Sequence, residues 1–266
     1  MGIEYRHYLI PQPNEFRPTP EQLRILIDQL RSGGWICNPD APYFRKMTFK
    51  TYSYFPHARR SGAYFQVAVA HAKPRSRARG LQVFRREFQP LPYPLSIEEL
   101  ATLLTRDLII GWPVENLAAS GLNYPFEENR WPADETYYKL EMQVAEDYID
   151  THSEQINPSG GKVICECSAS LEYHNDDDIF YAGRIHSSCP KCGKRVDVSA
   201  RLVGIRDAWT GKEWNVAGGA THRFAIVIDC GKSVPSENDE PTLKYELIEL
   251  CEQTLGCQFV EIGTLS

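Results

Sequence analysis

Two cysteine pairs, Cys165-Glu166-Cys167 and Cys189-Pro190-Lys191-Cys192, constrain this chain more than any other feature. They stand 21 residues apart, a loop length that lets four sulfur donors meet at one point. In the second pair a tight turn brings two thiolates together while backbone N–H groups point at the sulfurs. Gly193 permits the conformation that closes this turn. In the first pair the cysteines are alternate residues, which face the same way where an extended strand ends. Two other donor sets remain open: His186 or His174 replacing one cysteine, and four-thiolate iron–sulfur ligation.

The run Cys189-Pro190-Lys191-Cys192-Gly193 resembles the knuckle of zinc ribbons and rubredoxin-like sites, a resemblance that covers about five residues. It implies one structural zinc ion held by Cys165, Cys167, Cys189 and Cys192. The upstream Cys-x-Cys departs from the usual Cys-x-x-Cys of such sites. Four thiolates leave no coordination position for water or substrate, so this metal would stabilise the fold and would not catalyse. Cys37, Cys230, Cys251 and Cys257 lie scattered on apolar segments and read as buried small hydrophobes.

The metal reading depends on compartment. The amino terminus, Met1-Gly2-Ile3-Glu4-Tyr5-Arg6-His7, lacks the basic segment and apolar run of a secretory signal. No apolar stretch reaches the roughly 18 residues of a membrane span. The expectation is a soluble cytoplasmic protein with no membrane partner, in a reducing medium where paired cysteines bind metal. Hydrophobic residues at 42% and charged residues at 24% are ordinary for a folded chain.

Periodicity and punctuation predict an α+β fold with mixed or antiparallel sheets and about four helices. Ile3–Ile10 has strand character. Thr19 and Gln22 form a capping box with Pro20 at the first helical position, and Gly33-Gly34 stops that helix. Tyr64–Ala70 and Leu81–Phe88 predict a hairpin with a polar tip. Ser96 and Glu99 open a second helix, read through Leu108. A loop from Gly111 to about Glu135 follows, and then a helix over 135–152 from the spacing of Leu140, Val144 and Tyr148. His222–Asp229 reads as a strand, 243–255 as a helix stopped by Gly256, and Gln258–Ile262 as a last strand. Asn157-Pro158-Ser159-Gly160-Gly161 divides an N-terminal region, 1–156, from a C-terminal region, 157–266, that carries the knuckle, and the two could pack as one domain. Both chain ends run strand, proline-rich loop, helix with proline in its entry, glycine stop, strand.

Net charge is −6, but eleven Lys or Arg and no acid lie between Arg45 and Arg86, and twelve acids against three cations between Glu98 and Asp150. Segregated charge steers association. The hairpin tip carries Lys73, Arg75, Arg77 and Arg79, suited to phosphates, to an acidic protein surface, or to solvent alone. Trp112 and Trp131 sit among acids in the 111–135 loop and are candidate contact residues, or loop anchors packed inward. The triple acid at Asp176 reads as a solvated tip. Asp229, closing a hydrophobic strand, is a candidate acid without a partner motif. No His-Glu-x-x-His, nucleophile elbow, phosphate loop or dinucleotide fingerprint is present. The expectation is a non-enzymatic, zinc-stabilised binding protein of inhibitor, immunity or adaptor type. The alternative is an RNA- or DNA-associated factor using the basic hairpin 73–86.

Overall fold

The computed structural model describes residues 5–36, 64–67, 89–90, 95–114, 117–127, 138–151, 163–174, 180, 183–198, 202–206, 213–229 and 242–265. Lys73, Arg75, Arg77, Arg79, Trp131 and the Asp176 tip lie outside these residues.

Helix α1 (Pro20–Ser32) starts where the capping box requires: Thr19 Oγ1 accepts from Gln22 N at 3.2 Å, and Thr19 N donates to Gln22 Oε1 at 3.0 Å. Leu23, Leu26, Ile27 and Leu30 form its buried stripe. At its end Gly34 takes a φ of +74°, and Asn123 clasps the turn through its N–H to Gly34 O and its Nδ2 to Gly33 O, both at 2.8 Å. Helix α2 (Ile97–Leu103) opens with the same reciprocal box between Ser96 and Glu99. A single turn, α3 (Leu117–Ser120), precedes α4 (Tyr245–Leu255), which closes on Gly256 at a φ of +70°.

The main sheet is antiparallel and runs in the order β11 (Gln258–Leu265), β1 (Tyr5–Gln12), β10 (Thr221–Asp229), β5 (Tyr138–Asp150), β4 (Leu108–Val114), β2 (Tyr64–Val67), β3 (Gln89–Pro90). Short strands β6 (Glu172–Tyr173) and β7 (Gly183–Ile185) extend it from the far end of β5. A separate hairpin joins β8 (Leu202–Arg206) to β9 (Glu213–Ala217). Strands from both sides of residue 157 thus share one sheet. Tyr64 pairs with Pro90 and Phe65 with Gln89, while the expected second hairpin arm, Leu81–Phe88, lies outside the described residues.

Helices α1, α2 and α4 cover one face. Alternate strand residues meet them there: Leu9, Leu108, Ile110, Trp112, Leu140, Met142, Val144, Phe224, Ile226 and Ile228 are all fully buried. Each such side chain contributes about 1.5–3 kcal/mol by leaving water. Tyr138 keeps its hydroxyl satisfied inside this core by donating to Trp35 O at 2.7 Å and Asn123 O at 3.1 Å. The opposite face carries a smaller cluster of Tyr8, Ile10, Ala225, Val227 and Ile262.

Three expectations fail here. Residues 135–152 do not form a helix; 138–150 are strand β5. Leu140, Val144 and Tyr148 are all even positions, so a period of two fits them as well as helical spacing does. Pairing on both edges decides for the strand. The second helix stops at Leu103, with Leu108 already in β4, and that strand takes up Gly111–Val114 from the expected long loop. Trp112 is not a contact residue: it is fully buried between β4 and the helices. Among the described residues no helix is long and apolar enough to cross a membrane.

Trp112→Ala should therefore act on stability, costing about 3–5 kcal/mol in urea unfolding. A stability change under about 1 kcal/mol would contradict its core placement.

Candidate metal centre and a buried charge array

The cysteine pairs lie on two facing turns. In the first, Cys165 N donates to Ala169 O at 2.9 Å and Ser168 N to Cys165 O at 2.7 Å. In the second, Cys189 N donates to Lys194 O and Gly193 N to Cys189 O, both at 2.8 Å. Each turn closes on a residue of positive φ, Ser168 at 67° and Gly193 at 70°. The upstream pair thus sits on a knuckle of its own, not at the end of an extended strand. The turn lets residues one apart converge, which is why Cys-x-Cys suffices.

All four Sγ atoms lie within 4.8 Å of one another. Cys165 and Cys192 approach to 3.6 Å, and Cys167 and Cys189 to 3.5 Å. A disulfide needs about 2.05 Å, so these are free thiols. A tetrahedral ion with Zn–S bonds of about 2.3 Å has sulfur atoms roughly 3.8 Å apart, and the four fit that spacing. His186 is not in the set: it stacks on Tyr173 at 4.1 Å, with its Nδ1 3.5 Å from Asp147. The sequence-based choice of four cysteines over a Cys/His mixture is the arrangement brought together.

Electrostatics single out one sulfur, that of Cys189, for the thiolate form. Burial works against charge on Cys189, but the amides of Cys192 and Lys191 and the neighbouring thiols donate to its sulfur and hold it at about 6. Cys165 goes the other way, to about 12: an amide bond from Cys167 lowers it, and desolvation with the crowding of the other three sulfurs overcomes that. One thiolate therefore leads, and metal would displace the remaining protons. Lys194 pairs with Glu166 and feels the charge of Cys165 and Cys192, and Lys191 Nζ lies 3.4 Å from Cys167 O. These cations offset the negative charge that four thiolates place around a divalent ion. Cys251 and Cys257 lie away on α4 and just past its end; burial pushes both thiols up, Cys257 to about 11, and leaves them inert.

A second cluster lies on the sheet face away from the helices. Lys139 Nζ stands 3.0 Å from Glu141 and 3.5 Å from Asp229, and Arg6 Nε is 3.4 Å from Asp229. Burial would lower the lysine's affinity for its proton, but the two carboxylates outweigh it and raise it. Beside this array, burial raises the Tyr8 hydroxyl against the opposing charge of Arg6. Only Asp229 was visible in the sequence, as an acid without a partner. Lys139, Glu141 and Gln143 alternate as a solvent face would, yet Glu141, Gln143 and Asp229 are buried. The lysine occupies the place between two carboxylates that a cation would take, so the array is a mutually paired network and not a second metal site.

At the other end of β10, His222 is fully buried, with Nδ1 2.8 Å from Ala220 O, the ring 6.1 Å from Tyr8, and the charge of Arg184 acting on it. The carbonyl can only accept, so Nδ1 carries a proton, and burial disfavours a second one on Nε2.

The chain matches no protein-family model, no curated protein and no solved structure.

Two predictions follow from these geometries. Cys189→Ser should lose bound metal by elemental analysis and unfold 163–198, visible as lost amide dispersion there; a folded variant with full metal content would refute the four-thiolate assignment. Burial also holds His222 at about 4 against an ordinary 6.5. The unfolded chain therefore takes up the proton first on acidification, and stability is lost as pH falls from about 6.5 towards 4, by on the order of 3 kcal/mol. In His222→Leu that part of the pH dependence of urea unfolding should be missing; an unchanged profile would refute the assignment.

Proposed function

We propose that this chain is a non-enzymatic binding protein of the reducing cytoplasm, held together by one zinc ion on Cys165, Cys167, Cys189 and Cys192, that acts by gripping a protein partner. The observation that carries the reading is the form of the centre. A closed four-thiolate set fixes a surface knuckle, and that knuckle presents Ile164, 60% exposed, immediately before the first ligand. The isolated bridge between Ile164 and Ser170 pins the side chain's backbone, so ordering it on binding costs little entropy. The facing turn carries Lys191, Lys194 and Arg195, all exposed, with Lys194 paired to Glu166 and Arg195 to Glu15. An apolar anchor on a knuckle that also carries cations suits a partner with an apolar pocket and acidic surroundings. The basic tip with Lys73, Arg75, Arg77 and Arg79 gives the same sign of charge in the sequence.

The test is affinity purification from the native host, with protein and nucleic acid both identified. One stoichiometric protein should be recovered, and Ile164→Asp should weaken its binding by roughly tenfold or more while zinc content stays unchanged. Recovery of RNA or DNA instead would overturn the reading in favour of the basic hairpin. Affinity should then fall steeply with salt, and changing Arg75, Arg77 and Arg79 together should flatten that dependence.

A further inference from the structure

The pairing of β5 with β10 contains a break. Val144 faces Phe224 and Ile149 faces His222, so four residues, Ala145 to Tyr148, stand opposite the single Arg223. Such a stretch persists only where other groups satisfy the polar atoms that the ladder no longer serves.

Three consecutive residues of it are tied to the cysteine module. Glu146 N donates to Asp107 Oδ1 at 2.8 Å, and the other oxygen of Asp107 holds the buried Arg184 of β7. Asp147 Oδ1 accepts from both the N–H and the hydroxyl of Ser187, each at 2.7 Å, while its Oδ2 accepts from Tyr173 at 2.9 Å. Tyr148 donates its hydroxyl to Val196 O at 3.0 Å, and its ring joins Leu171, Ile185, Cys189, Val196 and Val198 in the small core of the module. Ser187 and Val196 are themselves bonded, Val196 N to Ser187 O at 3.0 Å, and they flank the second knuckle. From the other edge Arg223 reaches Glu146 O at 2.6 Å.

The module is poorly equipped to hold this grip unaided. Its core is a handful of side chains, two of them the half-buried ligands Cys165 and Cys167. A core of that size folds only with a staple.

We propose that the metal centre is a clamp on β5, whose occupancy fixes Glu146, Asp147 and Tyr148 and through them the offset between β5 and β10. Loss of the metal loosens the centre of the main sheet and not the knuckle alone. Metal supply, set by chelators or competing ligands, thereby controls the order of a strand that both faces of the protein depend on. This rests on the zinc reading above.

Hydrogen exchange on the full chain, with zinc measured in the same samples, tests it. Chelation should speed exchange at 145–150 and 221–225 on the order of tenfold, while α1 and α4 keep their rates. Exchange gained only within 163–198 would overturn the clamp. In metal-loaded Asp147→Asn, Glu146–Tyr148 should exchange faster with zinc content unchanged; wild-type rates there would also overturn it. Protein that neither carries zinc as purified nor takes it up when added would sink the zinc reading and the clamp with it. The metal content distinguishes that failure from the first.

Discussion

A strand hydrogen-bonded on both edges cannot slide, and β5 is held in that way along its first half by β4 and β10. One face of it, Tyr138 to Val144 in alternate steps, fills the floor of the helical layer. The other face carries Lys139 and Glu141 into the charge array. A slip of one residue would exchange these faces, driving charges into the helical core and apolar groups into the array. The array therefore contributes specificity of register more than stability, because its ion pairs largely offset the desolvation of their own charges. Past Val144 the strand leaves this regime, and the cysteine module takes over the work of positioning it.

That module has little apolar surface of its own, which is the setting in which the proposed metal would supply the constraint. Two turns, each closed by one residue of positive φ, bring the four sulfur atoms together. The stabilisation of such sites in small zinc peptides, on the order of 10–16 kcal/mol, exceeds anything the few buried side chains there contribute. The cations beside the sulfurs serve the same end, since a concentrated negative charge at a surface is tolerated best when lysines lie close to it.

Local signals in the sequence translated well into structure. Both capping boxes formed because their chemistry is complete within four residues, and the four-cysteine cluster was legible because its turns are short. The reading of β5 failed because even-numbered apolar positions satisfy two periods at once, and only the neighbouring strands choose between them. The first knuckle was misjudged as a strand end because Ser168 adopts positive φ without the glycine that would announce it. The charge array left no trace beyond Asp229: its members come from three strands, and Lys139, Glu141 and Gln143 alternate as solvent-facing residues do. Burial of such a face is a tertiary fact, decided by what packs over it.

The place of β1 in the sheet has a consequence for how the chain is made. Its two neighbours are β10 and β11, at the opposite end of the sequence. As the polypeptide leaves the ribosome, β1 finds neither partner until residues beyond 221 have emerged. Its Leu9 and Ile10, fully covered in the folded sheet, lack that cover until those strands arrive. Contacts this distant in sequence close slowly, so completion of the sheet waits on the arrival of β10 and β11.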